Sequence, residues 1–228
     1  MDIVDFHAHI LPRADHGSSS IEDTVFQLKS AALNGVSRII ATPHFYPQRE
    51  NVTSFITRRD NSYKLLADSI ADSLPSILLG AEILICDNIE EMPMLEQLCV
   101  SGTRILLIEL PFTDFSQGYI NSTKELIKQG YTVVIAHADR YESSHIDQLI
   151  RAGAYIQLNA DSLSKIFISK HIKKWIKENK VYAIGSDIHK RDSKAYVRFK
   201  KAINKLGEYA TNLKKHSDSI WIKKTEAS

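Results

Sequence analysis

Seven short apolar, β-branched runs recur along the chain, at 3–6, 37–41, 77–79, 104–108, 132–136, 155–158 and 182–184. Each has the length and residue types of a strand and ends in polar or ionisable residues. Between them lie longer stretches with helical spacing. In the first, Ile21, Val25, Leu28, Ala31 and Ala32 fall on one helical face. Ser20 ahead of Glu22 and Asp23 supplies an N-cap and an acidic first turn. Three helix-to-strand joints carry a glycine: Asn34-Gly35-Val36, Gln129-Gly130-Tyr131 and Ala152-Gly153-Ala154. Glycine just past a helix end takes the left-handed conformation that other residues resist. Strand, helix, glycine, strand is the pattern of repeated βα units around a parallel sheet. Seven candidate strands predict a closed or nearly closed (β/α) barrel. The alternative, an open doubly wound sheet, lacks its glycine-rich phosphate fingerprint after the first strand. The expectation is one domain over residues 1–228, with a lysine-rich helical C-terminal segment from about residue 190.

Composition narrows the class. The 228 residues are 43% hydrophobic and 25% charged, which suits a globular protein and excludes a disordered tail or a disulfide-framed miniprotein. No apolar run reaches eighteen residues, so no membrane span is expected. The N-terminus shows no basic segment followed by an apolar one, and the two cysteines, Cys86 and Cys99, suit a reducing compartment. The expected location is therefore cytoplasmic. A net charge of +2 conceals an asymmetry: from Asp161 onward there are 17 Lys and Arg against 7 Asp and Glu, and before it 12 against 20. An acidic half can hold cations, and a basic half can face an anionic partner.

The chemistry sits at the strand ends. Asp5-Phe6-His7-Ala8-His9 follows the first run, and alternate residues of an extended chain point the same way. His7 and His9 would therefore form a chelating pair at the C-terminal mouth of the barrel, with Asp5 placed to orient an imidazole. The second run ends in Thr42-Pro43-His44, the third leads into Ala81-Glu82, and the fourth ends in Ile108-Glu109-Leu110-Pro111. The fifth ends in Ala136-His137-Ala138-Asp139-Arg140 and the seventh in Gly185-Ser186-Asp187-Ile188-His189. Barrel enzymes build their sites at this end. A buried carboxylate after Ile-Leu-Leu-Ile needs a partner, and a metal ion supplies one. The donors are imidazole and carboxylate without thiolate, as in catalytic Mn²⁺, Fe or Zn²⁺ sites. Their number implies two or three ions, an arrangement suited to phosphoester hydrolysis. Arg140 offers a planar fork for phosphate.

Other nucleophiles fit poorly. A cysteine-dependent tyrosine phosphatase needs Cys, five residues, then Arg, opening a helix. Cys99 to Arg104 is one residue short and leads into a strand, so both cysteines are read as packing residues. No Gly-x-Ser-x-Gly elbow is present.

The motifs Asp5-x-His7-x-His9-Ile10-Leu11-Pro12, Ala41-Thr42-Pro43-His44, Gly80-Ala81-Glu82-Ile83, Ile108-Glu109-Leu110-Pro111, Ile135-Ala136-His137-Ala138-Asp139-Arg140-Tyr141 and Ser186-Asp187-Ile188-His189 resemble the polymerase-and-histidinol-phosphatase (PHP) family. More narrowly they resemble its bacterial capsular and exopolysaccharide tyrosine-protein phosphatases, which are manganese-dependent. The resemblance runs in order from Asp5 to about His189. It implies a distorted (β/α)7 barrel holding three ions. The first would take His7, His9, Glu82 and Asp187; the second, Glu82, Glu109 and His137; the third, His16, His44 and His189. Arg140, His137 and Asp187 would serve catalysis, a metal-bridging hydroxide attacking phosphorus without a covalent enzyme intermediate. The implied cofactor is Mn²⁺, with Fe or Zn²⁺ as substitutes, and the implied partner is the phosphorylated tail of a tyrosine kinase, not nucleic acid. Alternatives are a histidinol-phosphate or nucleotide phosphoesterase, a metal-dependent amidohydrolase, which also begins with H-x-H, and a non-catalytic phosphoprotein binder.

The chain departs from the family in two places. Asp15-His16-Gly17 stands where the tyrosine phosphatases usually read Asp-Asp-Gly, exchanging an anionic ligand for a neutral one. Where they commonly place Arg-Pro-Pro after the last ligand, this chain has Lys190-Arg191-Asp192-Ser193-Lys194. Lys194 falls near the Arg position, and Lys194 and Arg191 are the expected phosphate contacts there. His145, His171 and His216 remain as expected surface residues.

Overall fold

The computed structural model describes residues 3–66, 70–71, 73–112 and 115–226. All seven expected strands are present, as β1 (Ile3–Ala8), β2 (Val36–Ala41), β4 (Ser76–Leu79), β6 (Ile105–Glu109), β7 (Thr132–Ile135), β8 (Tyr155–Asn159) and β9 (Val181–Gly185). Two short strands were not foreseen: β3 (His44–Phe45) and β5 (Glu82–Leu84). Only Thr42-Pro43 separates β3 from β2, and only Gly80-Ala81 separates β5 from β4. Proline has no N–H to give a ladder, so it interrupts the second strand.

These interruptions split the pairing into two parallel sheets, β1-β2-β4 and β3-β5-β6-β7-β8-β9. Pairing nevertheless continues across the break, since Gly80 N–H donates to Ala41 C=O at 2.9 Å and Glu82 N–H to Pro43 C=O at 3.1 Å. Beyond β9, Asp187 N–H donates to His7 C=O at 2.8 Å and His9 N–H to Ile188 C=O at 3.0 Å. The expected barrel is thus not one continuous ladder, and the contact between the first and last strands lies at their C-terminal ends.

The helices pack as the parallel order requires: α1 (Ile21–Leu33), α2 (Val52–Lys64), α3 (Gln117–Lys128), α4 (Ser143–Arg151), α5 (Ala160–Ser164), α6 (Lys170–Lys177), α7 (Ala195–Leu206) and α8 (Ala210–Glu226). Ser20 caps α1 by accepting from Asp23 N–H at 3.2 Å. The buried face of α1 is Thr24, Gln27, Leu28 and Ala31, one position round from the expected stripe. Thr24 causes the shift, because its hydroxyl donates to Ile10 C=O at 2.6 Å and so faces inward. Gly35, Gly130 and Gly153 have φ of +83°, +85° and +109°, as the helix-to-strand joints require. The lysine-rich segment is helical, in α7 and α8. No helix among the described residues is long and apolar enough to cross a membrane.

Strand alternation separates an apolar floor from a polar mouth. Ile105 and Leu107 of β6 belong to a buried cluster with Val4, Phe6, Ile40, Leu78, Val134, Ala136, Ala183 and Ile220. Glu109 is the next β6 residue of that parity, and Glu82 has the parity of Leu78. On β1 the alternation is disturbed, with a register shift against β2 between Asp5 and Ala8. There Asp5 accepts the backbone N–H of His7 at 3.3 Å and of Ser186 at 2.8 Å. The expectation that Asp5 orients an imidazole is corrected: this carboxylate fixes backbone. Burial pushes its pKa up to about 6.

Cys99 is buried and Cys86 half-buried, and both are free thiols. Burial pushes the Cys99 thiol up to about 12 and also raises Cys86. Both are packing residues, as expected.

Gly185 closes β9 against β1. A methyl at that position would lie 2.5 Å from His7 Cβ and 2.7 Å from Gln157 Nε2. Gly185→Ala should therefore destabilise the fold by about 1–3 kcal/mol, seen as a lower midpoint in urea. An unchanged midpoint would show that β9 has slack which the packing denies.

Candidate metal centre

Eight ionisable side chains converge at the strand ends. His7 lies in β1 and His9 just beyond it; His44 opens β3, Glu82 opens β5 and Glu109 closes β6. His137 follows β7, and Asp187 and His189 follow β9. His137 and Asp187 carry positive φ, +31° and +52°, backbone that non-glycine residues hold mainly where the surroundings dictate it.

Glu82 is the focus. Its Oε2 has three imidazole nitrogens at 3.1 Å: His7 Nε2, His9 Nε2 and His44 Nδ1. Its Oε1 lies 2.8 Å from His137 Nε2. Glu109 reaches His44 Nδ1 at 3.5 Å and His137 Nε2 at 3.7 Å. Asp187 Oδ1 lies 3.6 Å from His7 Nε2, 3.5 Å from His9 Nε2 and 3.4 Å from His189 Nδ1. Three groups have donor atoms close enough for a shared ion: His7-His9-Glu82, His44-Glu82-Glu109 and His9-His44-His189.

The donor set fits a cation. His7 Nδ1 lies 3.1 Å from Gln157 Oε1, so it is Nδ1 that carries hydrogen. His9 Nδ1 lies 2.6 Å from Asp15 Oδ2 and is fixed in the same way. In the neutral rings both Nε2 atoms then present lone pairs, and these atoms face each other at 3.0 Å. Two lone pairs and two carboxylates at such distances repel unless protons or metal ions lie between them.

Protonation is the response in the absence of an ion. Burial pushes the His7 pKa down, but Glu82 and Asp187 outweigh it and the net shift is upward. For His9 the same contest ends well above the usual imidazole range, chiefly through Asp15. Glu82 and Asp187, despite burial that raises them, are held below the carboxylate range by the imidazoles, and Asp15 is held there by His9. His189 is pushed down to about 4 by burial and by the neighbouring His9.

The remaining expected residues divide. His16 is exposed, yet its ring stacks 4.7 Å from both His44 and His189, beside the third group. Arg140 reaches the centre and donates through Nη2 to Asp187 Oδ2. It borders a cavity of about 520 Å³ that also meets Asp187, His189, Lys190 and Arg191. Arg191 lines this cavity, but its Nε donates to Asp23 at 2.5 Å. Lys194 is exposed at the start of α7 and is not among the residues lining the cavity. Of the three histidines read as surface residues, only His171 is exposed. His145 stacks on Phe115 at 4.3 Å, and His216 on Tyr182 at 4.5 Å.

Three residues of the centre escaped the sequence reading. Asp15 orients His9 and also accepts His44 N–H at 3.0 Å. Gln157 fixes His7 and accepts His137 N–H at 2.6 Å. Asn159 accepts from Gln157 Nε2 at 3.0 Å and donates to Asp187 at 3.2 Å. Gln157 and Asn159 share a parity on the sixth expected strand, which supplies no His or acidic ligand, and that polar alternation was their available signal.

Comparison with known proteins gives concordant results. A family described as capsular polysaccharide synthesis, CpsB/CapC, matches residues 3–223. The putative tyrosine-protein phosphatase CapC of Staphylococcus aureus is 33% identical over 197 residues, covering 82% of this chain and 77% of its own length. Tyrosine-protein phosphatase YwqE of Bacillus subtilis is 29% identical over 199 residues, with the same two coverages. A solved structure from the work on YwqE of Bacillus subtilis and CpsB of Streptococcus pneumoniae, unique metal-dependent tyrosine phosphatases, superposes with a TM-score of 0.76. It is 26% identical and covers 92% of this chain and 89% of its own.

Two outcomes follow from the centre. Asp15→Asn should weaken metal-ion binding about 10–100-fold by calorimetric titration, as loss of an imidazole's orienting partner does; unchanged affinity would show that Asp15 serves only the loop. The second concerns the chelated protein. The raised His7 and His9 stabilise it fully below the ordinary imidazole pKa, about 6.5, and that share is lost as pH rises through their folded values. The depressed Asp15, Glu82 and Asp187 stabilise it above about pH 4, and that share is lost on acidification. Urea midpoints of the chelated protein should peak between about pH 4.5 and 6.5; a maximum above pH 8 would contradict the assignment.

Proposed function

The chain belongs to the capsular polysaccharide synthesis CpsB/CapC family, and on that premise we propose that it is a metal-dependent protein-tyrosine phosphatase. Its substrate is phosphotyrosine in a protein, on this reading the tail of a bacterial tyrosine kinase of capsule or exopolysaccharide synthesis. The observation that carries the reading is the Glu82 carboxylate, with three imidazole nitrogens at 3.1 Å around one oxygen. Nothing in this reading calls for nucleic acid. Two free cysteines suit the cytoplasm.

On the same reading, the two parallel sheets form one distorted (β/α)7 barrel and one domain. β2 with β3, and β4 with β5, each count as a single broken strand, which leaves seven positions. The hydrogen bonds between the ends of β9 and β1 support closure.

We assign His7, His9, Glu82 and Asp187 to one ion, and Glu82, Glu109 and His137 to a second. His44 and His189 belong to a third, with His16 stacked against both. Nitrogen and oxygen donors without thiolate suit Mn²⁺, and Fe or Zn²⁺ can substitute. When bound, such ions supply Lewis acidity, which acidifies water and neutralises phosphoryl oxygens.

The chain's own residues do the rest. Glu82, with both oxygens engaged by imidazoles, sets the spacing of the donors. Gln157 and Asp15 keep the His7 and His9 Nε2 lone pairs aimed inward. Arg140 is half-exposed at the mouth and holds Asp187 through one nitrogen, leaving its other N–H groups for phosphoryl oxygens. His189 keeps its Nδ1 hydrogen on the Asp187 carbonyl at 3.0 Å, which leaves Nε2 as the donor toward an ion. The phenolate of tyrosine leaves readily, so the protein need supply little acid catalysis to the departing oxygen.

Removal of metal with EDTA should abolish hydrolysis of a phosphotyrosyl peptide, and Mn²⁺ should restore it; activity surviving thorough chelation would refute the reading. With Mn²⁺ saturating, a phosphotyrosyl peptide should exceed a phosphoseryl peptide and histidinol phosphate in kcat/KM. A preference for histidinol phosphate would move the enzyme to small-molecule metabolism. His137→Ala should lower kcat by at least about 100-fold with the fold retained by circular dichroism.

A further inference from the structure

Beside the metal centre lies a second cavity, of about 460 Å³, walled by Phe112, Phe115, Tyr141 and His145, with Arg140 and Glu142 on its border. Arg140 is common to this cavity and to the one at the mouth. The rings are arranged in two pairs: Phe112 and Tyr141 have centroids 5.5 Å apart, and Phe115 stacks on His145 at 4.3 Å with planes 5° apart. The first pair leads directly to the centre, since His137 lies 5.6 Å from Tyr141 and 6.5 Å from Phe112.

Two features set this wall apart from ordinary packing. Phe112 is 70% exposed, so its ring fills no core. Tyr141 is held in place at both ends of one backbone unit: its hydroxyl donates to Leu110 C=O at 2.9 Å and accepts Leu110 N–H at 3.2 Å. A fixed ring and a free ring thus face a concavity that opens beside the catalytic arginine.

We infer that this cavity seats the aromatic ring of the phosphotyrosyl substrate, with Arg140 at the junction between ring and phosphate. The inference rests on the phosphotyrosine reading above and names the residues that make the site prefer an aryl phosphate. Aromatic rings add attraction to one another beyond the area they bury, in edge-to-face or offset contact. An alkyl phosphate from serine carries no ring to place there. The rival wall is Tyr46, on the other side of the centre. Its ring has His44 stacked at 5.1 Å and the Arg49 guanidinium over it at 4.8 Å.

The test measures binding, with the full Mn²⁺-loaded chain. Two phosphonate peptides that cannot be hydrolysed serve as probes, one carrying phosphonomethyl-phenylalanine and the other the corresponding phosphoserine mimic. The wild-type chain should bind the aryl probe more tightly. Phe112→Ala should shrink the aryl-to-alkyl affinity ratio about tenfold, and Phe112→Tyr should restore it to within twofold. Phe112 is exposed, so loss of the fold is not expected, and an unchanged thermal midpoint checks it. A ratio unchanged in Phe112→Ala would overturn the inference, as would an equal loss for both probes or a ratio that collapses only in Tyr46→Ala. A chain that binds the aryl probe through Phe112 yet hydrolyses no phosphopeptide would refute the phosphatase reading and leave the ring seat standing.

Discussion

An ionised carboxylate at the start of β5, out of contact with water and ringed by imidazoles, is the constraint from which the rest of the mouth follows. Glu82 has no solvent to stabilise it, and a buried charge without partners costs several kcal/mol. Four imidazoles answer that cost, drawn from β1, the segment just beyond it, β3 and the segment after β7, while Glu109 and Asp187 add negative charge that protons or metal ions must offset. No local stretch of chain could gather them. Parallel βα units do so because every strand ends on the same side, so that one or two residues from each of several strand ends suffice.

The strand interruptions serve the same purpose. Thr42-Pro43 and Gly80-Ala81 break two strands just before His44 and Glu82, and those residues then pair with each other in register across β3 and β5. Below the break lie Ile40, Leu78, Leu107 and Val134, an apolar floor. Above it lie the polar ligands, and an outer layer holds several of them. Asp15 holds His9, Gln157 holds His7 and the His137 backbone, and Asn159 links Gln157 to Asp187. The ligands are set in place by this outer layer as well as by the strands.

Much of this was readable from the chain itself. All seven strands stood out because a parallel sheet buried on both faces demands continuous β-branched runs. His7, Glu82, Glu109 and Asp187 were legible because acids and imidazoles rarely end such runs without reason. The residues that escaped did so for physical reasons. Asp15 sits in a loop after the His9 segment, and only the folded chain shows that its carboxylate turns back onto that imidazole. β3 and β5 are too short to carry a pattern. Arg191 lines the cavity at the mouth, and Asp23 on α1, far away in sequence, engages its Nε. Spacing shows which groups are available; it does not show which are already paired.

The placement of sulfur in this molecule has a consequence of its own. Phosphatases that attack with a thiolate are silenced when peroxide converts that sulfur to sulfenic acid. Here Cys99 lies in the apolar core with its thiol pushed up to about 12, and the centre is built from nitrogen and oxygen donors alone. Its side chains contain no low-pKa thiolate for an oxidant to find. On the phosphatase reading, hydrolysis at such a site would need no thiolate, so the peroxide that silences thiolate enzymes would find no sulfur nucleophile here.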